Sequence, residues 1–410
     1  MSATAASSGT PHGPGTDPGT GAVGVPARPA DPADRTRRRD RLRAAARAAA
    51  PALLAYAAVR ALGLLVLAAA SLATGKDGGF RLHGRWDAVW YQRIAADGYG
   101  YTVTLPDGSV HSDLAFFPLL PLLERALSWL GLSYGGAGLL VGHLAALAAA
   151  WGIFAVGARL HGRRAGVLLA ALWGAYPTAF VQSMAYTETL FTALAAWSLH
   201  AVLTRRWLAA GLLCALAGLT RPTAAALIAA LALTAVHQVL TGRDLPWRER
   251  LPWRVLAGVC LAPAGWLGYV VFVAVREGGP RAYFDVQASW GNSIDFGVSL
   301  GRFVLGLPLP AMLGLLAALA LLGWLLVLVV RTRPPLPVLA YTLAVVAVSL
   351  IGAGYFGSRP RLMMPAFPLL IPPALALAGG PLRRAYAVVG AAAVGSALYG
   401  AFTLLGSGPP

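Results

Sequence analysis

Residues 85–99 read RWDAVWYQRIAADGY, a polar and aromatic stretch in a chain that otherwise consists of long apolar runs. The stretch holds two acids, two arginines and four aromatic residues. Four of its side chains recur at i, i+3, i+4 and i+7 and so share one face of a predicted short helix: Asp87, Trp90, Tyr91 and Ile94. Gly98 is a natural stop for that helix.

Asp87 has two interpretations at this position. It can be the N-cap of the short helix, where its carboxylate accepts hydrogen bonds from the amides of Val89 or Trp90. It can also be a carboxylate at a membrane surface that takes a proton from a substrate hydroxyl. The two are compatible, because a capping acid still presents one oxygen to a substrate.

The composition outside this stretch identifies the class of protein. Of 410 residues, 57% are hydrophobic and only 12% are charged, and the mean hydropathy is +0.64; soluble domains carry about 25% charged residues. Repeated apolar runs of ~18 residues or more indicate membrane-spanning helices. The net charge of +17 comes mostly from arginines in short loops between the runs, which is a topology signal and not a nucleic-acid signal. We expect no nucleic-acid partner.

The apolar runs predict an all-α, polytopic membrane protein with about eleven transmembrane helices. The predicted spans cover residues 50–73, 136–157, 165–183, 188–204, 207–220, 222–240, 254–275, 309–330, 336–353, 361–378 and 385–405. Residues 1–48 are predicted to form a disordered, arginine-rich cytoplasmic tail, and residues 49–406 the transmembrane domain. The extracytoplasmic loops are 74–135, which carries interfacial helices, and 276–308. The protein should therefore lie in the cell membrane, with its site on the extracytoplasmic side.

Several residues on that side could bind a substrate. Arg359 and Arg361 suit a phosphate, because a guanidinium binds phosphate oxygens in a bidentate way, and Arg221 is a further candidate. Each arginine could equally anchor the protein to lipid headgroups. Glu188 opens a span, where a helix N-terminus stabilises its charge. Three aromatic residues could stack on sugars or simply occupy the membrane interface: Trp86, Trp90 and Tyr91. No tight ligand spacing predicts a metal site, and no cofactor is expected.

Five short motifs, in order, resemble bacterial PIG-V-type proteins, relatives of the mannosyltransferase that adds the second mannose in GPI-anchor assembly. They are WDAVWY at 86–91, AFFPL at 115–119, YTETLF at 186–191, TRPT at 220–223 and SRPR at 358–361. The series covers most of the membrane region. Leu120 departs from the pattern, because an aromatic residue is expected there; the change is conservative.

The resemblance implies a GT-C fold and an integral membrane glycosyltransferase. Such enzymes use a polyprenyl-phosphate sugar, typically mannose, with inversion on the non-cytoplasmic face. The family's first-loop acid falls on Asp87, which would be the catalytic base, and its later acidic motif falls on Glu188. The expected partners are the lipid-phosphate donor, membrane lipids, and a lipid, glycan or protein acceptor.

Two other functions stay open on the sequence alone. One is a GT-C transferase for another sugar, such as arabinofuranose or glucose. The other is a transporter or flippase for a lipid-linked sugar. A transporter binds its substrate near the bilayer midplane, often between internal repeats. Here the polar residues lie in loops and no repeat is visible, which favours an enzyme.

Overall fold

The chain consists mainly of α-helices. The computed structural model describes residues 32–106, 108–242, 246, 249 and 251–408. The chain divides into two compact units, residues 1–46 and 47–410. The described part of the first unit is the beginning of helix α1, Pro32–Thr74. The second unit contains every other helix described below.

The start of α1 differs from the sequence prediction. Residues 32–48 are helical, whereas the sequence predicts a disordered tail there; residues 1–31 of that tail lie outside the described residues. The physical reason is composition, because alanine and arginine are strong helix formers and dominate this segment. The predicted boundary between tail and domain therefore lies inside one continuous helix.

The remaining helices follow in chain order. They are α2 Gly78–Arg81, α3 Asp87–Asp97, α4 Leu119–Ser128, α5 Tyr134–His161, α6 Arg163–Gly174, α7 Glu188–Leu203, α8 Trp207–Gly218, α9 Ala224–Thr241, α10 Trp253–Leu261, α11 Ala264–Arg276, α12 Ala282–Ser289, α13 Val298–Leu305, α14 Leu309–Arg331, α15 Leu336–Ile351, α16 Arg359–Met363, α17 Ile371–Ala378 and α18 Leu382–Leu405. Short 3-10 helices occur at Asp113–Ala115, Ala179–Ser183, Phe356–Ser358 and Phe367–Leu370.

A small β-hairpin departs from the all-α prediction. Strands β1, Thr102–Thr104, and β2, Val110–Ser112, pair antiparallel with Val103 opposite His111. The β-branched residues of both strands favour extended backbone. Gly108, at φ +82°, supplies the left-handed conformation that the connecting turn needs. The hairpin lies within the predicted loop 74–135, which otherwise carries the short helices α2, α3 and α4.

Six helical segments of the described chain are long and apolar enough to cross a membrane. They are Leu42–Thr74, Tyr134–His161, Ala224–Thr241, Trp253–Arg276, Leu309–Arg331 and Leu382–Leu405. A seventh candidate, Phe356–Met363 with Phe367–Ala378, bends by 75° at its break. Three shorter apolar helices, α7, α8 and α15, complete the set. The chain is therefore a multi-pass membrane protein, and the number eleven stays a prediction.

Small residues let the helices approach closely, as is usual in membranes where backbone contact replaces hydrophobic exclusion. Helix α8 meets α10 where Gly211 faces Gly258, and a Cβ on either glycine would overlap backbone atoms of the other helix. One turn further, a Cβ on Gly265 of α11 would overlap the carbonyl oxygen of Ala215. By contrast, Gly268 has nothing near its Cβ position. The first three glycines thus set the distance between α8 and the α10–α11 segment.

Replacing Gly265 by alanine should lower stability. The added methyl group has no room against the backbone of α8, and overpacking of this kind costs about 1–3 kcal/mol. Gly268→Ala is the matched control on the same helix, and it should be neutral or slightly stabilising because alanine favours helix over glycine. The measurement is thermal unfolding of the purified protein in detergent. Equal melting temperatures for the two variants would contradict the close approach.

Candidate active site

The polar stretch that begins at residue 85 forms helix α3, and Asp87 is its first residue. Trp86 is the N-cap and makes no side-chain capping hydrogen bond, so the capping interpretation of Asp87 is wrong. The N–H of Val89 donates to the carbonyl oxygen of Trp86 instead. Trp86 has φ +54°, a backbone conformation that costs a non-glycine residue about 1–3 kcal/mol.

With the cap left to the backbone, the Asp87 carboxylate is free to bind elsewhere. Nη1 of Arg361 donates a 2.7 Å hydrogen bond to Oδ2 of Asp87. The same Nη1 lies 3.6 Å from Oε1 of Glu188, and Nη1 of Arg221 lies 3.0 Å from that oxygen. Two carboxylates and two guanidinium groups therefore form one chain of ion pairs: Asp87, Arg361, Glu188 and Arg221. We call these four residues the ion-pair cluster.

The four members come from four separate parts of the fold. Asp87 begins α3, Glu188 begins α7, Arg221 lies in the break between α8 and α9, and Arg361 lies in the short helix α16. Helix starts and breaks are suitable places for charge, because their backbone groups are not all used within a helix. The structure thus brings together four of the residues singled out in the sequence.

The cluster is buried unevenly. The Glu188 side chain is 2% exposed, whereas the Asp87 side chain is 28% exposed. Several donors within it are unused: buried Nε of Arg361 and buried Nε of Arg221 have no hydrogen-bond partner among the described residues, and Nη1 of Arg221 has only its ion pair. Unused buried donors are unfavourable, and an anion such as phosphate would satisfy them.

Tyr186 supports the cluster, although the sequence marked it only as part of a motif. Its hydroxyl oxygen accepts a 3.2 Å hydrogen bond from the N–H of Asp87. The guanidinium of Arg361 lies over its ring, 5.1 Å from the centroid, in cation–π contact. Tyr186 is 1% exposed, and burial raises the pKa of its hydroxyl well above the usual value. It therefore stays neutral and holds both ends of the Asp87–Arg361 pair.

Tyr91 contacts the cluster indirectly. It is buried, and its hydroxyl lies 3.2 Å from Oγ1 of Thr187, the residue before Glu188. Burial raises the pKa of Tyr91, and the negative charge of Asp87 adds to the shift. The predicted apolar face of α3 is present, because Ile94 is also buried. Tyr91 thus joins α3 to the start of α7.

Two other aromatic candidates lie in packed surroundings. Trp90 stacks on Phe116 at 5.5 Å and meets the edge of Trp290 at 5.0 Å between ring centroids. Its aromatic contacts therefore belong to the protein itself. Trp86 is half-buried, and the guanidinium of Arg85 lies 4.3 Å from its ring centroid. Neither residue contacts the ion-pair cluster through an ion pair or a hydrogen bond within the described chain.

Arg359 lies apart from the cluster. Its Nη1 donates to the carbonyl oxygen of Leu350 at 2.7 Å, and its Nη2 donates to that of Gly352 at 2.6 Å. Both oxygens are at the C-terminal end of α15, where carbonyl groups lack helical partners and attract cations. Of the two arginines in the SRPR motif, Arg359 caps a helix and Arg361 enters the cluster.

Glu124 of α4 is a buried acid whose burial the sequence analysis did not predict. It is fully buried, and neither carboxyl oxygen has a hydrogen-bond partner among the described residues. Its carboxyl group lies against Gly138 of α5 and beside Ala185, one residue before Tyr186. Burial raises the pKa of Glu124 to about 9, so the side chain is neutral near pH 7. Its place in an apolar face of α4, four residues after Leu120, was the available signal.

Comparisons with known proteins bear on the fold of the chain. A family model described as dolichyl-phosphate-mannose-protein mannosyltransferase matches residues 118–269, which is less than half of the chain. That segment contains Glu188 and Arg221. No curated protein matches the sequence.

Among solved structures, ArnT from Cupriavidus metallidurans bound to undecaprenyl phosphate is similar, with a TM-score of 0.51 and 16% sequence identity. The similarity covers 85% of this chain and 76% of ArnT. The chain has the ArnT fold. The mainly helical, multi-pass membrane architecture agrees with the fold class that the sequence predicts. The apo structure of ArnT from the same organism has a TM-score of 0.46 and 18% identity, over 78% of this chain and 60% of that one.

Glu188→Gln should destabilise the protein strongly. The change removes the carboxylate that lies between two largely buried guanidinium groups, and loss of one partner from a buried ion pair costs about 3–5 kcal/mol. Glu277→Gln is the control, because Glu277 is exposed. Thermal unfolding in detergent measures the difference. A melting temperature for Glu188→Gln equal to that of the control would show that Glu188 does not hold the cluster together.

Glu124→Gln should stabilise the protein at alkaline pH. An unfolded chain loses the Glu124 proton near the usual pKa of 4.5, whereas the folded chain keeps it until about pH 9. The stability of the wild type therefore falls as pH rises between these values, and glutamine, which has no such proton, escapes that loss.

The measurement is the melting temperature of Glu124→Gln minus that of the wild type, from about pH 5 to about pH 10.5, a range that extends past the raised pKa of about 9. The difference should grow with pH and level off above about pH 9. Glu277→Gln should show no such trend. A pH-independent difference for Glu124→Gln would mean that Glu124 is ionised in the folded protein.

Proposed function

We propose that this protein is a membrane glycosyltransferase that moves a sugar, mannose in the first instance, from a polyprenyl-phosphate donor to an acceptor hydroxyl with inversion. The observation that carries the proposal is the ion-pair cluster. It combines one accessible carboxylate, Asp87, with two guanidinium groups that retain unused donors, Arg221 and Arg361. A base and a phosphate-binding pair are the two elements that such a transfer needs.

Asp87 is the base in this mechanism. Its carboxylate takes the proton of the acceptor hydroxyl as that oxygen attacks the anomeric carbon of the donor sugar. The bond between the anomeric carbon and the phosphate oxygen breaks, and its electron pair leaves with the phosphate. Because the attacking oxygen approaches opposite the leaving group, the anomeric configuration inverts.

The two arginines stabilise the leaving phosphate. A phosphodiester with one charge becomes a phosphomonoester that gains a second, and nearby guanidinium groups favour that gain. Glu188 keeps Arg221 and Arg361 in place. Arg359 acts through the backbone of α15, and Trp86, Trp90 and Tyr91 shape the walls around the substrate.

Three findings support the lipid-linked sugar donor. The matching family model describes transfer from dolichyl-phosphate-mannose, ArnT of the same fold is seen with undecaprenyl phosphate, and the sequence motifs resemble PIG-V-type enzymes. We place the site on the extracytoplasmic face of the cell membrane, in a domain spanning residues 49–406 with a cytoplasmic tail at 1–48. The acceptor is a lipid, glycan or protein hydroxyl.

Asp87→Asn should abolish transfer. The amide keeps the shape of the side chain but cannot take a proton, and loss of a general base lowers turnover by about 10²–10⁴-fold. The assay uses purified protein, radiolabelled polyprenyl-phosphate-mannose and a panel of acceptors, with other polyprenyl-phosphate sugars in parallel. Asp97→Asn is the control, since Asp97 is exposed at the far end of the same helix.

Wild-type turnover in Asp87→Asn would show that Asp87 is not the base. Transfer of another sugar in preference to mannose would change the donor and leave the mechanism in place. Movement of the intact lipid-linked sugar across a vesicle membrane, with no glycosidic product from any acceptor, would identify a transporter instead of an enzyme.

A further inference from the structure

The guanidinium group of Arg361 has two roles in the proposed reaction: it pairs with Asp87, and it is available to bind the donor phosphate. Arg361 binds the Asp87 carboxylate at 2.7 Å, yet Arg361 is also one of the two cations available to the donor phosphate. While Oδ2 of Asp87 accepts this hydrogen bond, that oxygen is not free to accept a proton from an acceptor hydroxyl. The structure therefore shows the Asp87 carboxylate held by Arg361.

We propose that the donor phosphate displaces Asp87 from Arg361, and that this exchange releases Asp87 to act as the base. The inference rests on the proposed function, because it assumes a phosphate-bearing substrate in this site. The phosphate takes the place of the carboxylate on the guanidinium, and the freed carboxylate turns to the acceptor hydroxyl. Binding of the first substrate thereby prepares the enzyme for the second.

The geometry identifies Asp87, and not Glu188, as the partner that is exchanged. Glu188 is almost fully buried and pairs with both arginines, whereas the Asp87 side chain is 28% exposed and pairs only with Arg361 among the described residues. The guanidinium of Arg361 also lies over the ring of Tyr186. That contact does not involve the Asp87 carboxylate. Arg361 and Glu188 can therefore stay in place while the Asp87 carboxylate moves.

Charge is conserved around Arg361 during the reaction. Asp87 changes from −1 to neutral when it takes the acceptor proton, and the phosphate gains one negative charge when the bond to the sugar breaks. The negative charge that Asp87 loses in this step thus appears on the phosphate that already binds Arg361. The chemical step therefore leaves the total charge of the site unchanged.

The exchange makes a counter-intuitive prediction for binding. Asp87→Asn removes the carboxylate that competes with the phosphate for Arg361. The variant should therefore bind undecaprenyl phosphate about tenfold more tightly than the wild type, a change typical of residues that interact directly. Undecaprenol, which has the same chain without phosphate, should bind both proteins equally. Asp97→Asn should match the wild type with either lipid. Binding is measured with full-length protein in nanodiscs.

Simple repulsion between Asp87 and the phosphate would also be relieved by asparagine, and a double-mutant cycle separates the two causes. If the phosphate replaces Asp87 on Arg361, then Asp87→Asn in an Arg361→Gln background should change the Kd for undecaprenyl phosphate by less than about twofold. The reason is that this background has no guanidinium for which Asp87 and the phosphate compete. Repulsion alone predicts that the gain persists or grows. Arg361→Met serves as a second uncharged background if the glutamine variant does not purify as a monodisperse protein.

The outcomes are distinct from those of the transfer assay. A tenfold gain that disappears in the uncharged background supports exchange, even if no acceptor in the panel is glycosylated. A gain that persists there, or no gain in Asp87→Asn, overturns exchange, even if the wild type transfers mannose. Tighter binding of undecaprenol as well would assign the effect to the lipid chain and would also overturn it.

Discussion

The ion-pair cluster is the constraint on which the arrangement of α3, α7, α9 and α16 depends. Ionised groups in an apolar protein are tolerated when their charges are balanced by close partners. Two acids and two arginines meet this condition in one connected chain of contacts, with Glu188 at its buried centre. None of the four elements can shift without leaving a charge unpaired. Balance of charge therefore helps to fix their relative positions.

Irregular backbone supplies the cluster. Asp87 follows a residue in the left-handed region, Arg221 occupies a break between two helices, and Arg361 lies before the 75° bend between α16 and the helices that follow it. Straight spanning helices would direct these side chains along the bilayer core, where charge is costly. Glycine contacts between α8 and the α10–α11 segment keep the surrounding helices close. The regular helices thus form a scaffold, and the breaks and bends between them position the residues of the ion-pair cluster.

Much of this could be predicted from the sequence. The apolar runs match the long helices, Gly98 ends α3 as expected, and the acids and arginines of short motifs include all four cluster residues. Sequence could not separate Arg361 from Arg359, because which arginine points inward depends on the local turn. It also missed Glu124, since an acid in an apolar helix reveals its burial only through its neighbours. The hairpin was too short, at three residues per strand, for its alternation to stand out.

The long separation of Asp87 and Arg361 along the chain has a consequence for biogenesis. The two residues are 274 positions apart, and a ribosome adds about 5–20 residues per second. During insertion Asp87 is therefore made roughly 14–55 s before its partner. For that interval the acid stays without its Arg361 counter-ion. A translation product that ends before Arg361 therefore lacks one member of the ion-pair cluster.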